Sequence, residues 1–108
     1  MSIQVVLLKS AEQYLKQLKS YMIKQFGFTT WQASYQKIQE SIHFIQTFPQ
    51  SGKIPEELEK LNLYQYRQVI SGINRIIYEI RQQTIYIHII CDTRKDMNAL
   101  LMQRLLHS

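Results

Sequence analysis

Apolar and polar positions alternate through residues 64–91, and this pattern predicts three consecutive β-strands. The predicted strands cover residues 64–70, 73–81 and 84–91. Ser71-Gly72 and Gln82-Gln83 separate them, and loops this short are typical of antiparallel hairpins. Counting outward from both loops places Arg75 opposite Gln68 on one neighbouring strand and opposite Ile90 on the other.

The same alternation sorts the strand side chains into two unlike faces, because successive side chains point to opposite sides of a sheet. One face collects Val69, Ile76, Tyr78, Ile80, Ile85, Ile87 and Ile89. The other collects Tyr64, Tyr66, Gln68, Arg75, Ile77, Glu79, Tyr86 and His88. The first face is a core. The second face is too polar to be a core. It also carries more aromatic side chains than a face that only contacts solvent, so function is expected there.

Upstream, the pattern changes to helical spacing. Residues 3–8 form a short apolar run, which predicts a strand buried on both faces or at the centre of a sheet. Ser10 with Gln13 and Thr29 with Gln32 are capping-box pairs that predict two helix starts, while Gly27 and Pro49 end the two helices. The apolar stripes are Ala11, Tyr14, Leu15, Leu18 and Met22, then Trp31, Tyr35, Ile38, Ile42 and Ile45.

Two shorter helical patterns complete the chain. Residues 55–58 combine proline with two glutamates, which suits the first turn of a helix. After Asp92-Thr93, the apolar positions predict a closing helix that begins near residues 94–96: they are Met97, Leu100, Leu101 and Leu105.

The predicted order is β-α-α-β-β-β-α, an α+β fold. A helical hairpin covers the isoleucine face of a small, twisted, mainly antiparallel sheet. The closing helix folds back near the sheet and leaves part of the polar aromatic face open as a concave surface. Substituting Arg75 should therefore leave the fold intact.

Composition narrows the class of protein. The 108 residues suit one domain, residues 1–108, and the net charge of +5 with a pI of about 9.4 favours anionic partners. The single cysteine, Cys91, excludes an internal disulfide and fits a reducing compartment. The N-terminal apolar run is too short for a signal peptide, and no segment has the length needed to cross a bilayer, so a cytoplasmic location without a membrane partner is expected.

The candidate chemistry lies around Arg75. The three histidines lack metal-ligand spacing and the glycines form no phosphate loop, so we expect no metal and no cofactor. Arg75 with Gln68, Tyr66, Tyr86 and His88 offers a fixed cation, hydrogen-bonding groups and stacking surfaces, which together can hold a phosphate and an unstacked base. His88 could move a proton. In the alternative, Arg75 pairs with Glu79 and the tyrosines pack under the last helix.

Four other cations have ambiguous roles. Arg67 falls on the isoleucine face, where it should lie at the sheet edge or meet an acid from residues 56–59, and a different hairpin register would exchange its role with that of Arg75. Arg94 and Lys95 start the closing helix, where cations oppose the helix dipole, which mildly favours anion contact. Lys53 could contact an anion or be solvated.

Several segments of the chain match the motifs of one known family in order and spacing. They are residues 6–15, 45–52 and 54–58, and most strongly Tyr66-Arg67-Gln68-Val69, residues 74–80 and residues 87–96. Through these segments the chain resembles toxins of the RelE/ParE superfamily, the toxic half of bacterial type II toxin–antitoxin modules. The order and spacing of these motifs across one small basic domain carry the resemblance, and the family's fold agrees with the predicted one.

The resemblance implies one of two activities. RelE-like members cleave messenger RNA on the ribosome without a metal. In that reading Arg75 contacts phosphate, His88 or Tyr66 assists, and Arg94 or Lys95 steers RNA. A tyrosine or histidine that such enzymes often need near the closing helix is absent from residues 97–100. ParE-like members instead poison DNA gyrase.

The loop of residues 49–58, Tyr66-Arg67 and residues 94–96 look more like the ParE branch. The sequence thus favours a non-enzymatic gyrase inhibitor neutralised by a cognate antitoxin. A ribosome-dependent endoribonuclease and a nontoxic relative that binds only its antitoxin are the alternatives. The candidate anion- or target-binding residues are Arg75, Gln68, Tyr86, Arg94, Lys95 and Lys53.

Overall fold

The computed structural model describes residues 3–93 and residue 99. The elements are β1 (Gln4–Leu7), α1 (Lys9–Phe26), α2 (Phe28–Thr47), a 3₁₀ turn (Pro49–Ser51), α3 (Glu56–Glu59), β2 (Tyr66–Ser71), β3 (Asn74–Arg81) and β4 (Thr84–Asp92). The predicted α+β fold is confirmed: two long helices pack on a four-stranded, mostly antiparallel sheet. The predicted closing helix lies outside the described residues, apart from Ala99, which is helical.

The two long helices form the predicted hairpin, but the predicted capping boxes are wrong. Helix α1 begins at Lys9 with Leu8 as its N-cap, one residue before Ser10, and no side chain of the described residues caps it. Gly27 both ends α1 and precedes α2, with φ of 93° and ψ of 167°. A side chain disfavours this backbone conformation, so glycine allows the chain to reverse within one residue.

Strand β1 lies at a sheet edge, so its predicted position at the centre or in full burial is wrong. The strand order is β1-β4-β3-β2, and β1 runs parallel to β4. Val5 and Leu7 pack against the core while Gln4 and Val6 are exposed. Continuous apolar runs are typical of central strands. Here only alternate residues contribute to the core.

The main core lies between the helices and the sheet. Ala11 of α1 and Ile38 and Ile45 of α2 are fully buried against the isoleucine face. Its buried strand residues are Ile76, Tyr78, Ile85, Ile87 and Ile90. The helical stripes are thus largely confirmed, although Tyr35 is partly exposed and Tyr14 packs against a second cluster.

The register differs from the predicted one at two places. The first hairpin turn is Gly72-Ile73, so Arg75 pairs with Ile70 and not with Gln68. In the second hairpin, the pairing shifts between Ile77 and Tyr78, and His88 is the extra residue of a β-bulge. Because the bulge reverses the alternation, Ile89 moves to the polar aromatic face and Ile90 takes its place in the core.

The polar aromatic face carries a second buried cluster, so the predicted open concave surface is largely absent from the described residues. Leu58, Ile77 and Ile89 are fully buried there, beside Tyr66 and Cys91. Leu63, from the segment between α3 and β2, and Tyr14 from α1 pack against them. Tyr64 precedes β2 and is exposed, so its predicted place on this face is wrong.

Cys91 is buried in the second cluster, where it packs with apolar side chains. None of the helices in the described part of the chain has the length and hydropathy of a membrane span.

Candidate functional site

Arg75 lies on the face opposite the helical hairpin, as predicted, but its guanidinium is held by the protein's own side chains. Nη1 donates to Oε2 of Glu57 at 2.9 Å and Nη2 donates to Oε1 of the same carboxylate at 3.2 Å. Nε donates to Oε1 of Gln68 at 2.9 Å. This two-pronged pairing is the geometry in which arginine binds carboxylates and phosphates most strongly.

The expectation that Arg75 faces an accessible hollow is wrong. Its side chain is only 10% exposed, and that of Glu57 is 29% exposed. The predicted alternative partner, Glu79, is also wrong. Glu79 lies four residues further along β3 than Arg75. Leu58 anchors α3 over the Arg75 end of the face and brings Glu57 into contact with Arg75. Gln68, predicted as an anion ligand, lies diagonal to Arg75 on the same face and accepts its Nε–H hydrogen bond.

The ion pair perturbs Glu57. Its hydrogen bonds from Arg75 lower the pKa of the Glu57 carboxyl below its usual value, and they outweigh the opposing effect of burial. The carboxylate is therefore charged over the whole neutral range and occupies the position that an external anion would need.

Glu79 organises a second polar group toward the other end of the same face. Its Oε1 lies 2.9 Å from Nε2 of His88 and 3.0 Å from Nη2 of Arg81. Burial alone would raise the pKa of Glu79, but the hydrogen bonds from Arg81 and His88 prevail and the pKa is lowered. The guanidinium of Arg81 also lies over the ring of Tyr86, 5.1 Å from its centroid, at cation–π distance.

The predicted residues His88 and Tyr66 are neighbours within this group. Their rings meet edge to face with centroids 5.1 Å apart. Both are buried, Tyr66 lies opposite Glu79 on the neighbouring strand, and His88 is within hydrogen-bond distance of the Glu79 carboxylate. The structure therefore brings together His88, Tyr66 and Tyr86 around Glu79, while Arg75 and Gln68 belong to a separate pair with Glu57.

Arg67 lies on β2, an edge strand of the described sheet, so the expectation that it would lie at the sheet edge is confirmed. Its Nη1 donates to the carbonyl oxygens of Gln50 at 3.1 Å and of Gly52 at 2.8 Å. The alternative expectation, a pairing with an acid from residues 56–59, is therefore wrong. The acid from that segment pairs with Arg75 instead.

The buried Tyr78 side chain stabilises the same loop, residues 49–53, through two hydrogen bonds of its hydroxyl. Its hydroxyl donates to the Pro49 carbonyl at 2.7 Å and accepts from the Gly52 backbone N–H at 3.1 Å. A Cβ on Gly52 would lie 2.9 Å from the Gln68 carbonyl oxygen and closer still to the Tyr78 hydroxyl, so glycine is required for this close approach. Burial raises the pKa of the Tyr78 hydroxyl, which keeps it protonated as a donor.

The remaining predicted residues are dispersed. Lys53 is exposed, and its backbone forms a bridge with that of Gln68, with nitrogen–oxygen distances of 3.1 Å and 2.7 Å. Arg94 and Lys95 lie outside the described residues. Within the described part, no group of three or more histidine, cysteine or acidic side chains is arranged to hold a metal ion.

Sequence reasoning missed Glu57 and Arg81 as members of these groups. The acidic turn of residues 56–59 indicated that an acid from this segment could pair with an arginine. The sequence did not decide between Arg67 and Arg75 as that partner. Arg81 precedes the Gln82-Gln83 turn and pairs with Thr84, so Tyr86 is its diagonal neighbour on the same face, which cross-strand counting could have found.

The architecture and the basic charge define a class: a small basic α+β domain with a helical hairpin on one face of a twisted sheet. The chain belongs to the ParE toxin family. The family model described as "ParE toxin of type II toxin-antitoxin system, parDE" matches residues 5–97. The protein is thus a toxin of a type II toxin–antitoxin system, and such a system implies a cognate antitoxin as its partner.

A solved structure has the same fold. It is described as the "Chromosomal ParDE TA system from P. aeruginosa" and superposes with a TM-score of 0.71 at 14% sequence identity. The match covers 84% of this chain and 96% of that one. No curated protein matches the chain.

Proposed function

We propose that the protein inhibits DNA gyrase by binding to it, without catalysing a reaction, and that its cognate antitoxin neutralises it. Membership of the ParE family over residues 5–97 is the observation that carries this proposal. The predicted ribonuclease groups offer a second line of support, because internal partners occupy them.

Three observations on the candidate ribonuclease residues argue against RNA cleavage. A phosphate at Arg75 would have to displace the Glu57 carboxylate, which makes two hydrogen bonds to the guanidinium. A proton transfer by His88 would have to reach a ring that is buried between Tyr66 and Glu79. The Arg75 and His88 groups also have separate acidic partners, so no single hollow collects them. A binding mechanism needs none of these groups to be free.

The ribonuclease alternative keeps one specific observation in its favour. His88 and Glu79 form a hydrogen-bonded histidine–carboxylate pair, which in hydrolytic enzymes orients the imidazole for proton transfer. If RNA or a ribosome opened the second cluster, this pair would become the base. For that reason the test measures both activities in parallel.

The test uses purified protein with purified DNA gyrase and relaxed plasmid. We expect supercoiling to stop at toxin concentrations near that of the enzyme, and a translation reaction programmed with a reporter message to retain intact RNA. In cells, induction without the antitoxin should elicit the DNA damage response and stop growth. Rapid message cleavage without loss of supercoiling would overturn the proposal. Normal growth at confirmed soluble expression would favour the nontoxic relative.

A further inference from the structure

The free end of the helical hairpin exposes aromatic side chains. Tyr21, Phe26 and Phe28 are 51%, 60% and 55% exposed, at the end of α1 and the start of α2. Tyr21 and Phe26 meet edge to face with ring centroids 6.3 Å apart. Phe26 and Phe28 flank Gly27, around which a side chain would meet no described atom within 4 Å. We call these three aromatic residues, with Lys19 and Lys24, the hairpin-tip patch.

The charge around the hairpin-tip patch has one sign. Residues 13–39 contain Lys16, Lys19, Lys24 and Lys37 and no aspartate or glutamate. All four lysines are exposed. This segment alone contributes +4 to a chain whose net charge is +5. Exposed aromatic residues in a segment whose only charged side chains are exposed lysines match the composition of a binding interface, in which buried rings supply affinity and rim charges steer the partner.

The chemistry favours an acidic protein over a nucleic acid. Arginine is the side chain that grips phosphates with two parallel hydrogen bonds, and residues 13–39 contain none. Two of the three rings are phenylalanines, which bury area without needing a hydrogen-bond partner. Lysines at the rim supply long-range attraction to carboxylates.

We propose that the hairpin-tip patch is the surface with which the protein grips an acidic region of its target protein. The inference rests on the proposed function in one respect, that the protein acts by binding another protein. It adds where the contact lies: Phe26 and Phe28 are buried in the complex, and Lys19 and Lys24 speed its formation.

The chain contains a matched control. Phe44 and Phe48 are 47% and 56% exposed, and their ring centroids are 5.3 Å apart. They lie at the other end of α2, on the order of 30 Å from Phe28 at 1.5 Å per residue. Residues 38–52 contain no lysine or arginine, so this pair has the aromatic area without the charge.

The experiment compares wild-type protein with F26A/F28A, K19E/K24E and F44A/F48A, each checked for folding by circular dichroism. The first readout is binding to purified DNA gyrase, and the second is growth arrest on induction without the antitoxin. We expect F26A/F28A to weaken gyrase binding by about tenfold or more and to abolish arrest. K19E/K24E should slow association and remove its salt dependence. F44A/F48A should stay close to wild type.

The outcomes separate this proposal from the proposed function. If wild type fails to bind gyrase but F26A/F28A alone loses growth arrest, the gyrase proposal fails and the hairpin-tip patch stands with another protein target. If folded F26A/F28A binds gyrase and arrests growth like F44A/F48A, the patch proposal is overturned. It is also overturned if wild type neither binds gyrase nor arrests growth. If wild type binds a linear DNA fragment more tightly than gyrase, and F26A/F28A removes that binding, the protein-partner assignment is overturned.

Discussion

Glu57 and Arg75 join α3 to β3 through two parallel hydrogen bonds, of 2.9 Å and 3.2 Å, in a largely buried environment. The pair closes the short segment of residues 55–63 over the second cluster, whose apolar members include Leu58 and Ile77. A residue that the sequence marked as an open anion site is therefore part of what holds this side of the sheet together.

Glu57→Ala should destabilise the protein by about 2–4 kcal/mol, because it leaves the buried guanidinium of Arg75 without its charged partner. Urea unfolding followed by circular dichroism measures the change. Arg75→Ala should be destabilising as well, contrary to the expectation from sequence that the fold would tolerate it.

The control for Glu57 is its neighbour Glu56. Glu56 pairs with Lys60 across one helical turn at 3.5 Å, and both side chains are largely exposed. Glu56→Ala should change stability by less than about 0.5 kcal/mol. If Glu56→Ala and Glu57→Ala lower the free energy of unfolding equally, the buried Glu57–Arg75 pair contributes no more stability than the exposed Glu56–Lys60 pair.

Tyr78→Phe should cost about 1–3 kcal/mol, because it leaves the Pro49 carbonyl and the Gly52 N–H without their shared partner. Thermal and urea unfolding measure the loss. Tyr64→Phe is the matched control, since the Tyr64 hydroxyl bonds only to the exposed Asn62 side chain among the contacts described. If the two variants lose the same stability, the loop of residues 49–53 is not fastened by Tyr78.

Acid should destabilise the protein through Glu57 and Glu79. Both carboxyls have a pKa below the ordinary value of 4.5 in the folded state. Their contribution is therefore complete above about pH 4.5 and is lost as the pH falls through the lowered values. Urea unfolding between pH 7 and pH 3 should show a steep acid decline for wild type.

The variant that tests this assignment is E57Q/E79Q. It should be less stable than wild type at pH 7 and should lose less further stability on acidification, since its amides do not titrate. An acid decline as steep as that of wild type would place the responsible carboxyls elsewhere.

The two positive-φ glycines should differ in their tolerance of substitution. Gly27→Ala should cost about 1–3 kcal/mol, because φ of 93° with ψ of 167° lies in a region that is nearly exclusive to glycine. Gly72→Asn should cost less than about 1 kcal/mol, because φ of 61° is the left-handed conformation that asparagine accepts. Melting temperatures of both variants test the ranking, and a greater loss for Gly72→Asn would contradict it.

The sequence by itself determined the order of the elements, the two helical stripes and the two faces of β2 and β3. These features depend on local periodicity, which is 3.6 residues in a helix and two in a strand, so they can be read without knowing any contact. The same periodicity placed Gln68, Arg75, Tyr66 and His88 on one face of the sheet.

Only the tertiary structure decided what each of those residues touches. The β-bulge at His88 moved Ile89 to the opposite face, because one extra residue reverses the alternation that follows it. The competition of Arg67 and Arg75 for an acid was settled by where Leu58 anchors α3, a contact between segments distant in sequence. Burial of charge then required Arg75 to be paired, since an isolated buried guanidinium is too costly to persist.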